Sequence, residues 1–273
     1  VLGFQTEDYA LNFLRCVSKL TKHDVDFSER TAYVDGRPVL AVEAPIGIPV
    51  DDVRTLAGSE DVEVEIRALQ EAVAGRRLVL GVDRLDYTKG IPERVLAYER
   101  LLEQDPELVS KLVYVQVMVP SRVDVRAYAQ LKNEIDRLVG KVNSRFAESG
   151  RVPIQYLYRS LDPVKLYAHY RAADVALVTP LRDGMNLVAQ EYVASRRSDD
   201  GVLVLSEFAG AADFLTEALQ VNPYDLSSLQ RAIQHALAMP EAERRRRMHA
   251  LRASVQELDV HRWADKFIQH LET

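Results

Sequence analysis

From about residue 76 onward, short apolar runs alternate along the chain with segments whose apolar residues recur at helical spacing. Strands buried on both faces read as continuous apolar runs, whereas amphipathic helices repeat apolar positions every three or four residues. The runs predict strands at Arg77–Val82, Leu112–Val119, Ile154–Tyr158, Val175–Thr179, Val202–Ser206 and Leu219–Val221. The helical spacing predicts helices at Pro92–Gln104, Val123–Glu148, Pro163–Arg171, Asn186–Ser195, Leu226–Ala238, Glu241–Leu258 and His261–Leu271.

Repeated strand–helix units with short links predict the fold class. Parallel strands joined by right-handed crossovers build an α/β, doubly wound parallel sheet. Such sheets bind their ligands beyond the carboxyl ends of the strands. A ligand is therefore expected near the segments that follow Val82, Val119, Tyr158 and Thr179.

The first 50 residues follow a different pattern. A helix is predicted at Thr6–Leu20, and Thr31–Val34 with Val39–Glu43 has the spacing of a hairpin. The run Pro45–Pro49 is stiff at both ends and turn-like in the middle, which is typical of an interdomain linker. Val1 is neither an initiator Met nor part of a signal peptide, so we expect a fragment or a proteolysed protein.

The composition of the chain limits the classes of binding partner and the cellular compartment that we expect. The net charge is -6 with both signs mixed along the chain, which argues against nucleic acid as a partner. Cys16 is the single cysteine and excludes an internal disulfide, so a reducing, cytoplasmic location is expected. No apolar run approaches the roughly 20 residues that span a bilayer, so no membrane partner is expected. Whether the chain forms a homo-oligomer is left open.

The first candidate motif, Arg84–Gly90, directly follows a predicted core strand. Arg84 and Lys89 place two cations at the carboxyl end of that strand, and Gly90 permits close approach of the backbone. Arginine offers a planar fork to phosphate oxygens and lysine a mobile charge, so the pair suits a diphosphate. The alternative is a surface turn with solvated charges in which Asp86 pairs locally. The G-x-G-x-x-G and P-loop fingerprints are both absent from the sequence.

The second candidate motif, Thr179–Glu191, carries a strand into a turn and then into a helix that begins near Asn186. The free N–H groups and positive dipole end of that helix can hold an anion such as a sugar diphosphate. Glu191, one turn into the helix, could accept hydrogen bonds from the two hydroxyls of a ribose. The alternatives are an ordinary Asx turn at Asp183 and a solvated helix residue at Glu191.

A third cation, Arg122, follows the strand Leu112–Val119 and could converge on the same crevice. The alternative is a residue that simply starts the next helix. His169 and His235 have no partner at metal-ligand spacing, so neither a metal nor another cofactor is expected.

Taken together, these motifs resemble the trehalose-6-phosphate synthase family. The resemblance covers almost the whole chain and rests on Gly3–Thr6, Pro45–Ile48, Arg84–Gly90, Thr179–Glu191, Val202–Gly210 and Val221–Asp225. It implies the GT-B fold, in which two Rossmann-like domains face each other across a cleft. It also implies transfer of glucose with retention from UDP-glucose, or another NDP-glucose, to glucose 6-phosphate without a metal, which forms α,α-trehalose 6-phosphate.

Carried over residue by residue, the resemblance assigns Arg84 and Lys89 to the donor diphosphate. It assigns the remaining donor contacts to Leu161, through its backbone to the uracil, and to Leu187, Val188, Ala189, Gln190 and Glu191, with Glu191 on the ribose. Relatives can carry a bulkier aromatic residue at the position of Leu161. Asp183 would lie against the transferred glucose as the catalytic residue, and Arg122 would hold the acceptor's phosphate.

The resemblance also predicts the domains. Residues 1–48 would be a remnant of the N-terminal acceptor domain plus the linker, and residues 49–273 the Rossmann-like nucleotide-sugar domain. The last helix, about 261–271, would pack back on an N-terminal domain that is otherwise missing. We therefore expect the isolated chain to bind the donor and to turn over poorly. Two other interpretations stay open: a transferase like glucosylglycerol-phosphate synthase, and a non-catalytic module that binds nucleotide sugars.

Overall fold

The computed structural model describes residues 1–122, 124–148 and 150–272. The N-terminal part contains a small sheet packed on one helix. Its elements are β1 (Leu2–Phe4), α1 (Glu7–Leu20), β2 (Asp24–Asp26), β3 (Thr31–Val34) and β4 (Arg37–Glu43). The strand order is β1-β4-β3-β2, with β1 parallel to β4 and the other pairs antiparallel. A small core of Ala10, Leu14, Ala32 and Ala41 lies between α1 and this sheet.

The remainder of the described chain alternates strands and helices around a second, six-stranded sheet. Its strands are β5 (Arg77–Arg84), β6 (Leu112–Val119), β7 (Ile154–Leu157), β8 (Val175–Val178), β9 (Val202–Ser206) and β10 (Leu219–Val221). Its helices are α2 (Val50–Ala57), α3 (Glu60–Ala72), α4 (Ile91–Gln104), α5 (Leu108–Lys111), α6 (Arg126–Phe146), α7 (Pro163–Ala172), α8 (Leu187–Ser195), α9 (Leu226–Ala238), α10 (Glu241–Glu257) and α11 (Val260–Glu272).

All pairs of strands in the larger sheet are parallel, and their order is β10-β9-β8-β5-β6-β7. The chain builds the sheet outward from β5 in one direction and then from β8 in the other. The strand order therefore reverses between β5 and β8, which defines the topological switch point where such sheets bind ligands. The predicted doubly wound α/β fold is confirmed.

Both faces of this sheet are covered, which explains the continuous apolar runs of its strands. Along β5, Leu78 and Leu80 face one core cluster and Val79 faces the other. All three side chains are almost completely buried. Full burial of such a side chain stabilises the fold by about 1.5–3 kcal/mol, so the two faces together fix the register of β5.

Several boundaries differ from the sequence prediction. Strand β5 continues two residues further than predicted because Asp83 and Arg84 still pair with β6. Arg84 is therefore the last residue of β5 and the point at which the following loop begins. The sequence pattern also missed β1, β2, α2, α3 and α5: three of these span only three or four residues, and α2 and α3 lie in a region to which no element was assigned. The predicted start of the helix α6 at Val123 lies outside the described residues.

The last helix and the linker hold the two parts together. The indole N–H of Trp263 on α11 donates to the carbonyl of Ala44 at 3.0 Å, and the N–H of Val260 donates to the carbonyl of Ile48 at 3.1 Å. A carboxylate oxygen of Asp259 accepts from the N–H of Val50 at 3.1 Å. Helix α11 thus contacts the N-terminal part across the linker, while the domain boundary at residue 48 stays a prediction. No helix within residues 1–122, 124–148 and 150–272 has the length and apolarity needed to cross a membrane.

Gly90 lies in the loop that follows β5, directly against the backbone that follows the neighbouring strand β8. Its φ is +65°, in the left-handed region, and a Cβ atom there would lie 2.3 Å from the carbonyl oxygen of Thr179. Gly75 has a similar φ of +71°, but a Cβ atom at that position would meet nothing within 4 Å. Backbone approach, in addition to conformation, therefore requires glycine at position 90.

This difference predicts unequal costs for two matched substitutions. Gly75→Ala should lower the free energy of unfolding by about 1 kcal/mol, the cost of placing alanine in the left-handed region. Gly90→Ala should cost about 3 kcal/mol because displacing the Thr179 carbonyl adds an overpacking penalty. Urea unfolding of both variants measures the difference. Equal losses would contradict the close approach at Gly90.

Candidate functional site

A cleft of about 440 Å³ opens at the switch point, between the carboxyl ends of β5 and β8. Six of the residues predicted from the sequence line it: Arg84, Lys89, Asp183, Leu187, Val188 and Glu191. Gln5 from the N-terminal part also lines it. Two segments far apart in sequence, at the ends of neighbouring strands, thus meet in one site.

The segment from Arg84 to Gly90, here called loop 84–90, is fixed by hydrogen bonds to the carboxylate of Asp86. A carboxylate oxygen of Asp86 accepts from the N–H and the hydroxyl of Thr88 at 2.9 and 2.8 Å, and the hydroxyl of Tyr128 donates to the other oxygen at 3.2 Å. Burial raises the pKa of Asp86, but these hydrogen bonds and the charge of Lys89 outweigh it and hold the pKa below its ordinary value. Asp86 is therefore an ionised anchor of the loop.

The loop is also tied to the strand exit beyond β8. The N–H of Leu181 donates to the carbonyl of Thr88 at 2.7 Å. On the far side, the N–H of Asp183 donates to the carbonyl of Phe208 at 3.1 Å, and its own carbonyl accepts from the N–H of Gly210 at 3.2 Å. Backbone hydrogen bonds thus hold loop 84–90 and the turn at Asp183 side by side.

A fully buried guanidinium lies beneath the loop. Arg94 on α4 contacts the carboxylate of Asp83 at 2.5 Å and donates to the carbonyls of Lys89 and Leu177 at 2.8 and 2.9 Å. Burial lowers the pKa of Arg94, but the charge of Asp83 and the hydrogen bond to it outweigh this and raise the pKa above its ordinary value. Arg94 is therefore a permanent buried cation compensated by Asp83.

The two residues at the heart of the cleft form an ion pair. The Nζ of Lys89 lies 2.6 Å from a carboxylate oxygen of Asp183, with the side chains 14% and 19% exposed. The same oxygen accepts from the side-chain amide of Asn186 at 3.0 Å. Arg84 is exposed at the cleft, and its side chain has no hydrogen-bond or ion-pair partner within the described part of the chain. One cation of the site is thus held by a carboxylate and the other is free.

Helix α8 directs its N-terminus at the cleft. Asn186 caps the helix from the left-handed region, with φ at 78°, and its side-chain oxygen accepts from the N–H of Ala189 at 3.3 Å. The first N–H groups of a helix have no intrahelical acceptor and carry its positive dipole end. Leu187 and Val188, which supply these groups, line the cleft. An anion can therefore bind here next to Arg84 and Lys89.

Glu191 lines the cleft and is not a solvated helix residue. The hydroxyl of Tyr170 on α7 donates to its carboxylate at 3.0 Å. Burial raises the pKa of Glu191, and the hydrogen bond from Tyr170 acts in the opposite direction. The contact fixes one carboxylate oxygen and leaves the other available to a ligand.

The other predicted site residues do not line the cleft. The side chains of Ala189 and Gln190 are buried, and Gln190 donates to the carbonyl of Ile46 at 3.2 Å in the linker. Leu161 packs against the core of the larger sheet. Arg122 donates to the hydroxyl of Tyr128 at 3.1 Å and lies over its ring. The roles that the resemblance assigns to these four residues stay predictions.

Sequence reasoning missed three residues that shape the site: Asp83, Arg94 and Tyr170. Arg94 lies inside a helix with no motif around it, and Tyr170 has the spacing of an ordinary core aromatic. A charged residue within an apolar helical stripe is the one signal that could have drawn attention to Arg94, because such a residue needs a buried partner. Among residues 1–122, 124–148 and 150–272, no three His, Cys, Asp or Glu side chains group to hold a metal ion.

The geometry defines a class of protein: a doubly wound α/β domain with a cleft at its switch point that is lined by two cations and a helix N-terminus. The comparisons with known proteins give the family. The model for glycosyltransferase family 20 matches residues 1–273, and the chain belongs to that family.

A bifunctional trehalose-6-phosphate synthase/phosphatase from Thermoproteus tenax is 44% identical over 271 residues, which cover 99% of this chain and 37% of that protein. An E. coli structure with bound UDP-2-fluoro glucose is 40% identical with a TM-score of 0.94, over 100% of this chain and 60% of that one. A structure of a UDP-forming α,α-trehalose-phosphate synthase from Burkholderia xenovorans in complex with glucose-6-phosphate is 38% identical with a TM-score of 0.95. The match covers 100% of this chain and 61% of that one. The chain thus spans less than two thirds of each of these relatives.

Proposed function

We propose that this chain carries the donor site of a glucosyltransferase that moves glucose from UDP-glucose to glucose 6-phosphate and forms α,α-trehalose 6-phosphate. One observation carries the proposal: Arg84, Lys89, Asp183, Glu191 and the N-terminus of α8 line a single cleft. The similarity to the E. coli structure with UDP-2-fluoro glucose and to the B. xenovorans structure with glucose-6-phosphate supports the two substrates.

We propose the following arrangement of the ligand among the residues that line the cleft. Glu191 accepts hydrogen bonds from the ribose with the carboxylate oxygen that Tyr170 leaves available. The diphosphate lies between Arg84, Lys89 and the first N–H groups of α8, where two cations and a helix dipole end meet. The glucose then lies beside Asp183, at the end of the cleft where the carboxylate already contacts Lys89.

The leaving UDP gains negative charge as the glycosidic bond breaks, while the anomeric carbon gains positive charge. Arg84, Lys89 and the α8 N-terminus stabilise the first charge, and the Asp183 carboxylate stabilises the second. Donors preorganised for charge that develops in the transition state contribute about 3–4 kcal/mol each. Because these groups supply the countercharge, we propose that donor binding and transfer need no metal ion.

The proposed acceptor site includes Arg122, next to loop 84–90. Arg122 would hold the phosphate of glucose 6-phosphate, and its hydroxyl partner Tyr128 also donates to Asp86 in loop 84–90. An acceptor phosphate at Arg122 would therefore be connected to the loop that binds the donor. We propose that further acceptor contacts come from an N-terminal domain outside this chain. The relatives, of which this chain covers 37% and 61%, are long enough to contain such a domain. A product assay that offers glucose 6-phosphate and glycerol 3-phosphate separately identifies the acceptor.

We also propose that the protein works in a reducing compartment such as the cytoplasm. The observation that supports this location is the free, exposed thiol of Cys16, the single cysteine of the sequence.

Lys89→Ala tests the assignment of the diphosphate. The change removes a phosphate contact and no base contact, so calorimetry should show UDP affinity falling about tenfold or more. Uridine affinity should change less than about twofold because uridine has no phosphate. Lys111→Ala, which removes an exposed lysine paired with Glu107 on α5, is the matched control and should change neither affinity. Equal losses of UDP and uridine in Lys89→Ala would place Lys89 away from the diphosphate.

Asp183→Asn separates binding from transfer. The change keeps the shape of the side chain but releases Lys89 and removes a negative charge next to the proposed phosphates. UDP affinity should therefore be kept or rise by about threefold, an amount typical of one charge pair. Glucosyl transfer, measured in a full-length enzyme that contains this chain, should fall about 100-fold or more, because the lost interaction acts mainly in the transition state. A variant that loses UDP binding but keeps its transfer rate would reverse the roles given to Asp183 and Lys89.

A further inference from the structure

We infer that Arg94, which does not line the cleft, is a positioning residue that sets where Lys89 and Arg84 stand in the donor site. The inference deepens the proposed function and rests on it for the identity of the ligand. It starts from the place of the guanidinium, which is fully buried directly under loop 84–90.

Arg94 holds both ends of the loop. Its Nη2 contacts the carboxylate of Asp83 at 2.5 Å, one residue before Arg84. The same Nη2 donates to the carbonyl of Lys89 at 2.8 Å, and Nε donates to the carbonyl of Gly90 at 3.4 Å. The distance between the start and the end of the loop is thus set by one rigid, planar group.

The same guanidinium also fixes the loop relative to the opposite wall of the cleft. Its Nη1 donates to the carbonyl of Leu177 on β8 at 2.9 Å, and β8 leads to Asp183. Asp83 in turn is oriented by the side-chain amide of Gln116 at 3.1 Å, which is itself hydrogen-bonded to the hydroxyl of Tyr114. The network therefore joins β5, β6 and β8 at the edge where the ligand is proposed to bind.

A second buried arginine provides a matched control at the opposite edge of the sheet. Arg196 donates to three carbonyls, those of Tyr170, Arg171 and Ala173, and pairs with the carboxylate of Asp200. It is 6% exposed, and it closes the C-terminal end of α7, away from the cleft. Arg94 and Arg196 have the same kind of partners, so a purely structural role predicts the same consequences for both.

The test compares Arg94→Lys with Arg196→Lys in the 273-residue chain. Lysine keeps the charge but cannot reproduce the fork that contacts a carboxylate and several carbonyls at once. Both variants should show a lower Tm. Calorimetry should show UDP affinity at least about tenfold weaker in Arg94→Lys and uridine affinity within about twofold of wild type. In Arg196→Lys both affinities should stay within about twofold.

A double substitution tests whether Arg94 acts through Lys89. If it does, Arg94→Lys should weaken UDP binding less in the Lys89→Ala background than in the wild type, because one of the two groups that it positions is gone. Fully additive losses would show that Arg94 does not act through Lys89 and would overturn that part of the assignment.

Amide hydrogen exchange provides a readout that needs no ligand. The N–H of Lys89 donates to the carbonyl of Asp86 at 3.1 Å, and the N–H of Leu181 donates to Thr88 at 2.7 Å. Both amides should exchange at least about tenfold faster in Arg94→Lys and unchanged in Arg196→Lys. If Arg94→Lys does not fold, Gln116→Met should give a smaller change in the same direction, because it loosens Asp83 and keeps the ion pair.

The two readouts separate the inference from the proposed function. A wild-type chain that binds no UDP, with exchange that still differs between the two variants, contradicts the proposed function and supports the positioning role. A wild-type chain that binds UDP, with Arg94→Lys unchanged in UDP affinity and in loop exchange, overturns the positioning role alone.

Discussion

The site depends on the contact between two segments that leave neighbouring parallel strands. Strands β5 and β8 end at the same edge of the sheet, and their following segments meet through the hydrogen bond from Leu181 to Thr88 and the close approach of Gly90 to Thr179. Because the connections that follow two neighbouring strands leave in opposite directions only at a switch point, this edge is where two loops can face each other across a cleft. The cations of one loop therefore lie opposite the helix N-terminus of the other.

That arrangement has an electrostatic consequence. Lys89 and Asp183 neutralise each other across the cleft, while Arg84 stays free. A phosphate that binds between them has to compete for Lys89 with Asp183, whose carboxylate is largely buried and also accepts from Asn186. The pair thus keeps Lys89 in place before the ligand arrives. In the proposed function this exchange would release Asp183 toward the sugar and so connect binding of the diphosphate to orientation of the glucose.

Much of this organisation could be predicted from the sequence because strand–helix alternation and strand ends are local features. The bounds predicted for β6 from its apolar run and for α9 from its helical pattern are the observed ones. The rule that ligands bind at the carboxyl ends of parallel strands brought Arg84, Lys89, Asp183 and Glu191 together. Contacts between distant segments could not be predicted in this way. Whether the side chain of Gln190 faces the cleft or the linker depends on how α8 is rotated, which a resemblance does not reveal. Arg94 gave only the signal of a charged residue in an apolar helical stripe, because its partners lie on two different strands and in the loop.

The idea that ties these observations together is that protein cations and a helix end take the place of a metal ion at the donor diphosphate. The most direct test is a calorimetric titration of UDP into the 273-residue chain in EDTA and again in excess Mg²⁺. If Arg84, Lys89 and the N-terminus of α8 supply the countercharge, the two dissociation constants should agree within about twofold. A UDP affinity that appears only with Mg²⁺, or rises about tenfold or more when Mg²⁺ is added, would contradict the idea that protein groups replace a metal ion.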